Sequence, residues 1–157
     1  MIDVSTIGII PYCDDFIPAA TEAQIAELEN HFGHCLPENY KLIIKNYNGS
    51  GPIEKYFDAI DEETGIPLEY KFSKFYYIDD HKELPGNIWW VIENYSSILG
   101  PNTLPFAHDG IHQIYYMKWV NETPEIWYFV YLDLDEPETF RVMNSFDELL
   151  GALYNAE

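Results

Sequence analysis

Three kinds of side-chain grouping in this sequence have the types and spacing to do chemistry: His31, His34 and Cys35 in one stretch, His108, Asp109 and His112 in another, and runs of carboxylates along the chain. Metal binding needs imidazole, thiolate or carboxylate groups that converge on one point. Gly33 falls between the two histidines of the first set and ends a predicted helix, so they do not share a helical face at i and i+4. The second set occupies a turn that leads toward a strand, where spacing alone does not make side chains converge. Both sets therefore read as structural or surface residues, and no metal is expected. Nucleophilic catalysis has no better support, since the chain carries no Gly-x-Ser-x-Gly elbow, no glycine-rich phosphate loop and no Cys-x-x-Cys pair. Cys13 and Cys35 read as reduced thiols, buried or incidental. A hydrolytic carboxylate pair could hide among 27 acids in 157 residues, but so many acids also pair by accident. The expectation is a protein that is not an enzyme and uses no cofactor.

The carboxylates carry the stronger signal. They form the runs Asp14-Asp15, Asp61-Glu62-Glu63, Asp79-Asp80 and Asp133-x-Asp135-Glu136-x-Glu138, and against 8 basic residues they leave a net charge of −19. The default reading of a charge run is a solvated face, yet solubility of a small domain needs only about 2 to 8 net charges. A folded chain of this length has a radius of gyration of about 15 Å, so the surplus costs stability through self-repulsion. A compensating benefit is faster and tighter association with a basic protein partner, with neighbouring Tyr and Trp as anchors. The same sign argues against nucleic acid and against an anionic membrane surface. No apolar stretch approaches the roughly 20 residues of a membrane span, and Met1–Pro11 lacks the basic start and small-residue cleavage site of a secretory signal. A cytoplasmic monomer is expected.

The elements that position these residues follow from periodicity and capping. Thr21 precedes Gln24 by three, a capping box, and Ile25, Leu28 and Phe32 form a stripe that Gly33 terminates. A second helix begins at Leu36-Pro37-Glu38, carries Tyr40, Ile43, Ile44 and Tyr47 on one face and stops at Asn48-Gly49. The short spacing predicts a helical hairpin. A charged loop from Gly49 to Leu68 is expected to hold one short strand near Ile53–Phe57. Leu68, Tyr70 and Phe72 alternate before the phase shifts to Phe75 and Tyr77, which predicts one strand kinked near Ser73. Asn87–Leu99 has helical spacing, and Leu104-Pro105-Phe106-Ala107 leads into a turn at His108-Asp109-Gly110. Ile114–Val120 and Ile126–Asp135 read as long strands. In the latter, Ile126, Tyr128 and Val130 share one face and Trp127 and Phe129 the other, so the strand is covered on both sides or is central. Thr139–Met143 adds a strand. Ser145 and Glu148 cap a final helix striped by Phe146, Leu149, Leu150 and Leu153. The order implies one α+β domain, mostly antiparallel sheet with flanking helices.

An ordered set of motifs then resembles the SUKH superfamily. Ile25-x-x-Leu28-Glu29, Leu36-Pro37-x-x-Tyr40-Lys41 and Asn48-Gly49-Ser50-Gly51 match its opening helices and turn. Leu104-Pro105-Phe106-Ala107-x-Asp109-Gly110 matches its Ile-Pro-Phe-Ala-x-Asp-Gly segment, and Ser145-Phe146-x-Glu148-Leu149-Leu150 its last helix. The matches cover Thr21 to Leu153 within a single domain spanning 1–157. Ile111-His112-Gln113 departs from the glycines that often follow Asp-Gly. Leu36, Pro37, Tyr40, Asn48, Gly49, Pro105, Phe106, Asp109 and Gly110 are read as fold-specifying core and turn residues, because proline fixes backbone geometry and Asn-Gly and Asp-Gly are turn chemistry. The resemblance implies a bacterial immunity protein that neutralises a toxin, often a nuclease, by non-catalytic contact. The fungal relatives imply the alternative, a scaffold or regulatory adaptor. The partner-binding residues are expected in the acidic runs.

Overall fold

The computed structural model describes residues 9–10, 19–52, 55–110, 113–130 and 138–154. The first helix, α1 (Glu22–Phe32), starts as local chemistry dictates. Thr21 Oγ1 accepts from the Gln24 N–H at 3.1 Å, and Gln24 Oε1 accepts from the Thr21 N–H at 2.9 Å. Gly33, at φ 71°, ends it by donating its N–H to the Glu29 carbonyl. The second helix, α2 (Glu38–Tyr47), follows Pro37 and buries Tyr40, Ile43 and Ile44. The two helices lie antiparallel, as the predicted hairpin requires. The Ala20 N–H donates to the Ile44 carbonyl at one end, where Lys45 pairs with Glu22, and Glu29 accepts from the Leu36 N–H at the other.

A two-residue strand, β1 (Ile9–Ile10), pairs with β2 (Gly51–Pro52). Next come β3 (Tyr56–Ile60) and β4 (Pro67–Lys71), an antiparallel hairpin. The strand expected near Ile53–Phe57 is thus displaced toward the C-terminus, because Phe57 and Ala59 are the alternating residues that reach the core. Ile53 lies outside the described residues.

The kinked strand expected near Ser73 is instead two strands in two sheets. Phe72 is buried between them against Phe75 and Tyr115, with ring centroids 5.0 and 5.3 Å away. The chain then resumes as β5 (Lys74–Phe75) beside β6 (Thr103–His108). With β7 (Ile114–Lys118), β8 (Glu125–Val130) and β9 (Glu138–Met143), these make a five-stranded antiparallel sheet in chain order. Thus Leu104–Ala107 is part of a buried strand and not only the lead into a turn. Pro105 is tolerated there because the register shifts between Pro105 and Ala107, where its missing donor breaks no regular ladder.

Both faces of β8 are covered, one of the two readings that its aromatic alternation allowed. Tyr128 of β8 meets Tyr70 and Tyr115, while its neighbour Phe129 meets Tyr95 of α3 (Ile88–Leu99). The last helix, α4 (Phe146–Ala152), is capped by Ser145 Oγ, which accepts from the Glu148 N–H at 3.1 Å. Its Phe146 joins Tyr40, Phe75 and Phe106 in an aromatic cluster that ties α2, α4 and the sheet together. The fold is α+β, with antiparallel sheets flanked by helices.

Candidate functional site

Among the described residues the acidic runs lie in separate parts of the fold. Asp61, Glu62 and Glu63 occupy the turn of the β3–β4 hairpin, where Asp61 Oδ1 accepts from the Glu63 N–H and Gly65 supplies the left-handed residue at φ 70°. Glu62 points to β9, pairing with Arg141, whose guanidinium also reaches Glu125 of β8 at 3.0 Å. These two carboxylates push the Arg141 pKa further up. Glu138 is exposed at the start of β9.

Asp79 and Asp80 sit elsewhere, in the loop before α3. Asp79 accepts from both the backbone N–H and Nδ1 of His81, at 2.8 and 2.6 Å. Those bonds hold its carboxyl below the usual carboxylate range and raise the His81 imidazole. Asp80 accepts from Gln24 Nε2 of α1, and Lys82 reaches Glu27 beside it. Asp14, Asp15, Asp133, Asp135 and Glu136 lie outside the described residues.

Register adds carboxylates that no run announces. Asp58 of β3 stands directly opposite Glu69 of β4, and the Tyr154 hydroxyl lies 2.8 Å from one and 2.9 Å from the other. Tyr154 is fixed there by a backbone bridge to Tyr56, and the two acids drive its pKa up. Beside this pair a groove of about 320 Å³ opens between Asp58–Ile60 of β3, Arg141–Met143 of β9 and Glu148 of α4. Single acids set among apolar residues carry no signal in the sequence; only the hairpin register places Asp58 against Glu69.

The motif residues lie in the core and at turns, and two of them also make buried polar contacts. Leu36, Tyr40 and Phe106 are buried, and Gly49 and Gly110 adopt φ of 76° and 94°. Pro37 and Pro105 set the helix start and the strand irregularity described above. Asn48, though at a turn, buries its amide against Ile78, donating to its carbonyl at 2.8 Å and accepting from its N–H at 2.9 Å. Asp109 is also buried, accepting from the Gln113 N–H at 3.2 Å and the Tyr128 hydroxyl at 3.0 Å. Burial first, and Asp109 next, raise the Tyr128 pKa.

The described histidines of the two sets are engaged singly. His31 meets the rings of Phe32 and Trp89, and His34 stacks on Trp119 at 5.1 Å. Cys35 is an exposed free thiol, and Cys13 lies outside the described residues. His108 Nδ1 accepts from the Gly110 N–H, and His112 is outside the described residues. Among the described residues no three His, Cys, Asp or Glu side chains are grouped to hold a metal ion, and no helix is long and apolar enough to cross a membrane.

No curated protein and no solved structure matches the chain. A family model does, over residues 19–152, from the helix pair through the motif-bearing sheet to the last helix. With the same segments forming the helices, turns and strands that the motifs require, the chain belongs to the SMI1 / KNR4 family (SUKH-1).

Proposed function

We propose that this chain is an immunity protein that binds a cognate bacterial toxin, a basic nuclease-type effector, and neutralises it by covering its nucleic-acid-binding surface. The observation that carries this reading is the unbalanced negative charge, −19 over the chain, with Asp58, Glu62 and Glu69 on one hairpin beside the single arginine. Family membership supports it, because SUKH proteins are often immunity proteins. The contact requires no catalysis and no cofactor, and it takes place in the cytoplasm, where an immunity protein meets its toxin. Carboxylates facing the Lys and Arg that otherwise grip phosphates would exclude the nucleic acid by occupying the same groups.

The test is coexpression with the toxin domain encoded beside the gene. Restored growth together with a stable complex is the expected result. An absence of both growth and complex overturns the reading. The alternative, an adaptor that assembles cellular partners, is favoured by the kinship with the SMI1 / KNR4 proteins. It predicts an isolated gene and a phenotype on deletion without any toxin.

A further inference from the structure

We infer that the partner docks on the outer face of the β3–β4 hairpin and in the groove between β3 and β9, and that the occupant is a basic loop carrying an apolar residue among its Lys or Arg side chains. The inference rests on the binding function proposed above. Along the hairpin, alternation puts Tyr56, Asp58 and Ile60 on one face, opposite Lys71, Glu69 and Pro67. On the other face Phe57 and Ala59 are buried in the core, while Leu68, opposite Ala59, is exposed.

Two features of the outer face ask for a specific occupant. Asp58 and Glu69 are like charges directly opposite each other, an arrangement that destabilises a hairpin. Tyr154 offers them one hydroxyl proton to share. Among the described residues neither carboxylate has an ion pair, although Lys71 is the next residue on that face of β4. An incoming ammonium or guanidinium relieves the repulsion. The next pair along is Ile60, 62% exposed, and Pro67, so an apolar contact lies one step from the carboxylates. Acid and apolar positions thus alternate at strand spacing, and the groove of about 320 Å³ continues them toward Val142 and Met143. β3 is paired with β4 and β9 with β8, so each strand presents the outer side of its sheet to this groove.

The Asp79–Asp80 loop lacks these properties. Asp79 is satisfied by His81, Asp80 accepts from Gln24, and Lys82 of the same loop sits 4.5 Å over the Trp89 ring. That run is used inside the fold, whereas Asp58 and Glu69 face outward with no ion pair among the described residues, Arg141 at the groove being engaged by Glu62 and Glu125. Charge complementarity therefore selects the hairpin face.

The probe is the pentapeptide acetyl-Lys-Leu-Lys-Leu-Lys-amide, titrated into the full ¹⁵N-labelled chain, with the Glu-for-Lys peptide as control. Shifts at Asp58–Ile60, Leu68–Glu69 and Phe140–Arg141 are expected with the basic peptide only. The double variant Asp58→Asn, Glu69→Gln keeps the side-chain shapes and removes the like charges, so it folds, and its peptide affinity should fall about tenfold. Shifts centred on Asp79–His81, or equal affinity in the double variant, overturn the surface assignment. Growth rescue separates this from the function: a wild-type chain that rescues, with a double variant that rescues equally well at low expression, refutes the surface and leaves the immunity role standing. A wild-type chain that binds no neighbouring toxin refutes the role, while the peptide map still decides the surface.

Discussion

Replacing Asn48 with Ala tests whether a residue of the Asn-Gly turn acts mainly through its buried amide. That amide makes two bonds to the backbone of Ile78, at 2.8 and 2.9 Å, and Asn48 and Ile78 are 7% and 2% exposed. Alanine leaves a buried N–H and a buried C=O without these partners. Each such loss costs about 1–3 kcal/mol, so the expected destabilisation is about 2–6 kcal/mol. For a chain of this size that corresponds to a melting temperature about 5–15 °C lower. In urea the midpoint should fall by about 1–3 M at unchanged slope. Asn46→Ala is the matched control: Asn46 is exposed and its amide only donates to the Leu42 carbonyl one turn back, so the change should stay within about 0.5 kcal/mol. Asn48→Asp should also destabilise, because it keeps an acceptor for the Ile78 N–H but sets a carboxylate against the Ile78 carbonyl. Equal losses for Asn48→Ala and Asn46→Ala in paired denaturation curves refute the reasoning.

Gly51→Ala should destabilise by about 1–3 kcal/mol or more, since a Cβ there would lie 2.0 Å from the Ser73 carbonyl oxygen, a backbone atom that cannot swing aside; thermal melting checks this. His108 is largely buried and its pKa is lowered, first by burial and then by Lys74, so its protonation favours the unfolded chain. Its effect on stability is therefore absent above an unfolded pKa of about 6.5 and grows as pH falls from there through the lower folded value. Denaturation curves from pH 7.5 to 5 should show that loss, with the Gly110 amide resonance moving alongside, because Nδ1 can accept from Gly110 only while unprotonated. The Asp79–His81 pair has the opposite signature: the raised His81 pKa adds stability that is lost as pH rises through it, and the lowered Asp79 pKa adds stability that is lost as pH falls through it. Asp79→Asn should move the His81 NMR titration midpoint down.

The helices were legible because their signals are local. Thr21 with Gln24, Gly33, Asn87 and Ser145 are short-range capping chemistry, and each caps or ends the helix that the periodicity placed. The strands were less so. Pro105 hid a buried strand whose irregularity accommodates it, and the change of sheet at Phe72–Ser73 reads in the sequence as a phase shift within one strand. The role of Asn48 depends on Ile78, which is remote in sequence and adjacent only after β5 has paired and the chain has turned toward α3. The candidate surface was half visible for a similar reason. Glu62 and Glu63 belong to a run that stands out in the sequence, whereas Asp58 and Glu69 become a pair only through hairpin register. Asp79, equally visible as part of a run, is spent on His81.

The most direct test of the electrostatic account is the association rate of the wild-type chain with a toxin domain that it neutralises in the coexpression test, measured by stopped flow across ionic strength. Screening contracts from about 8 Å at physiological salt to about 3 Å at 1 M, so a partner drawn in by −19 charges should associate progressively more slowly. A rate that stays flat from low to high salt contradicts the account.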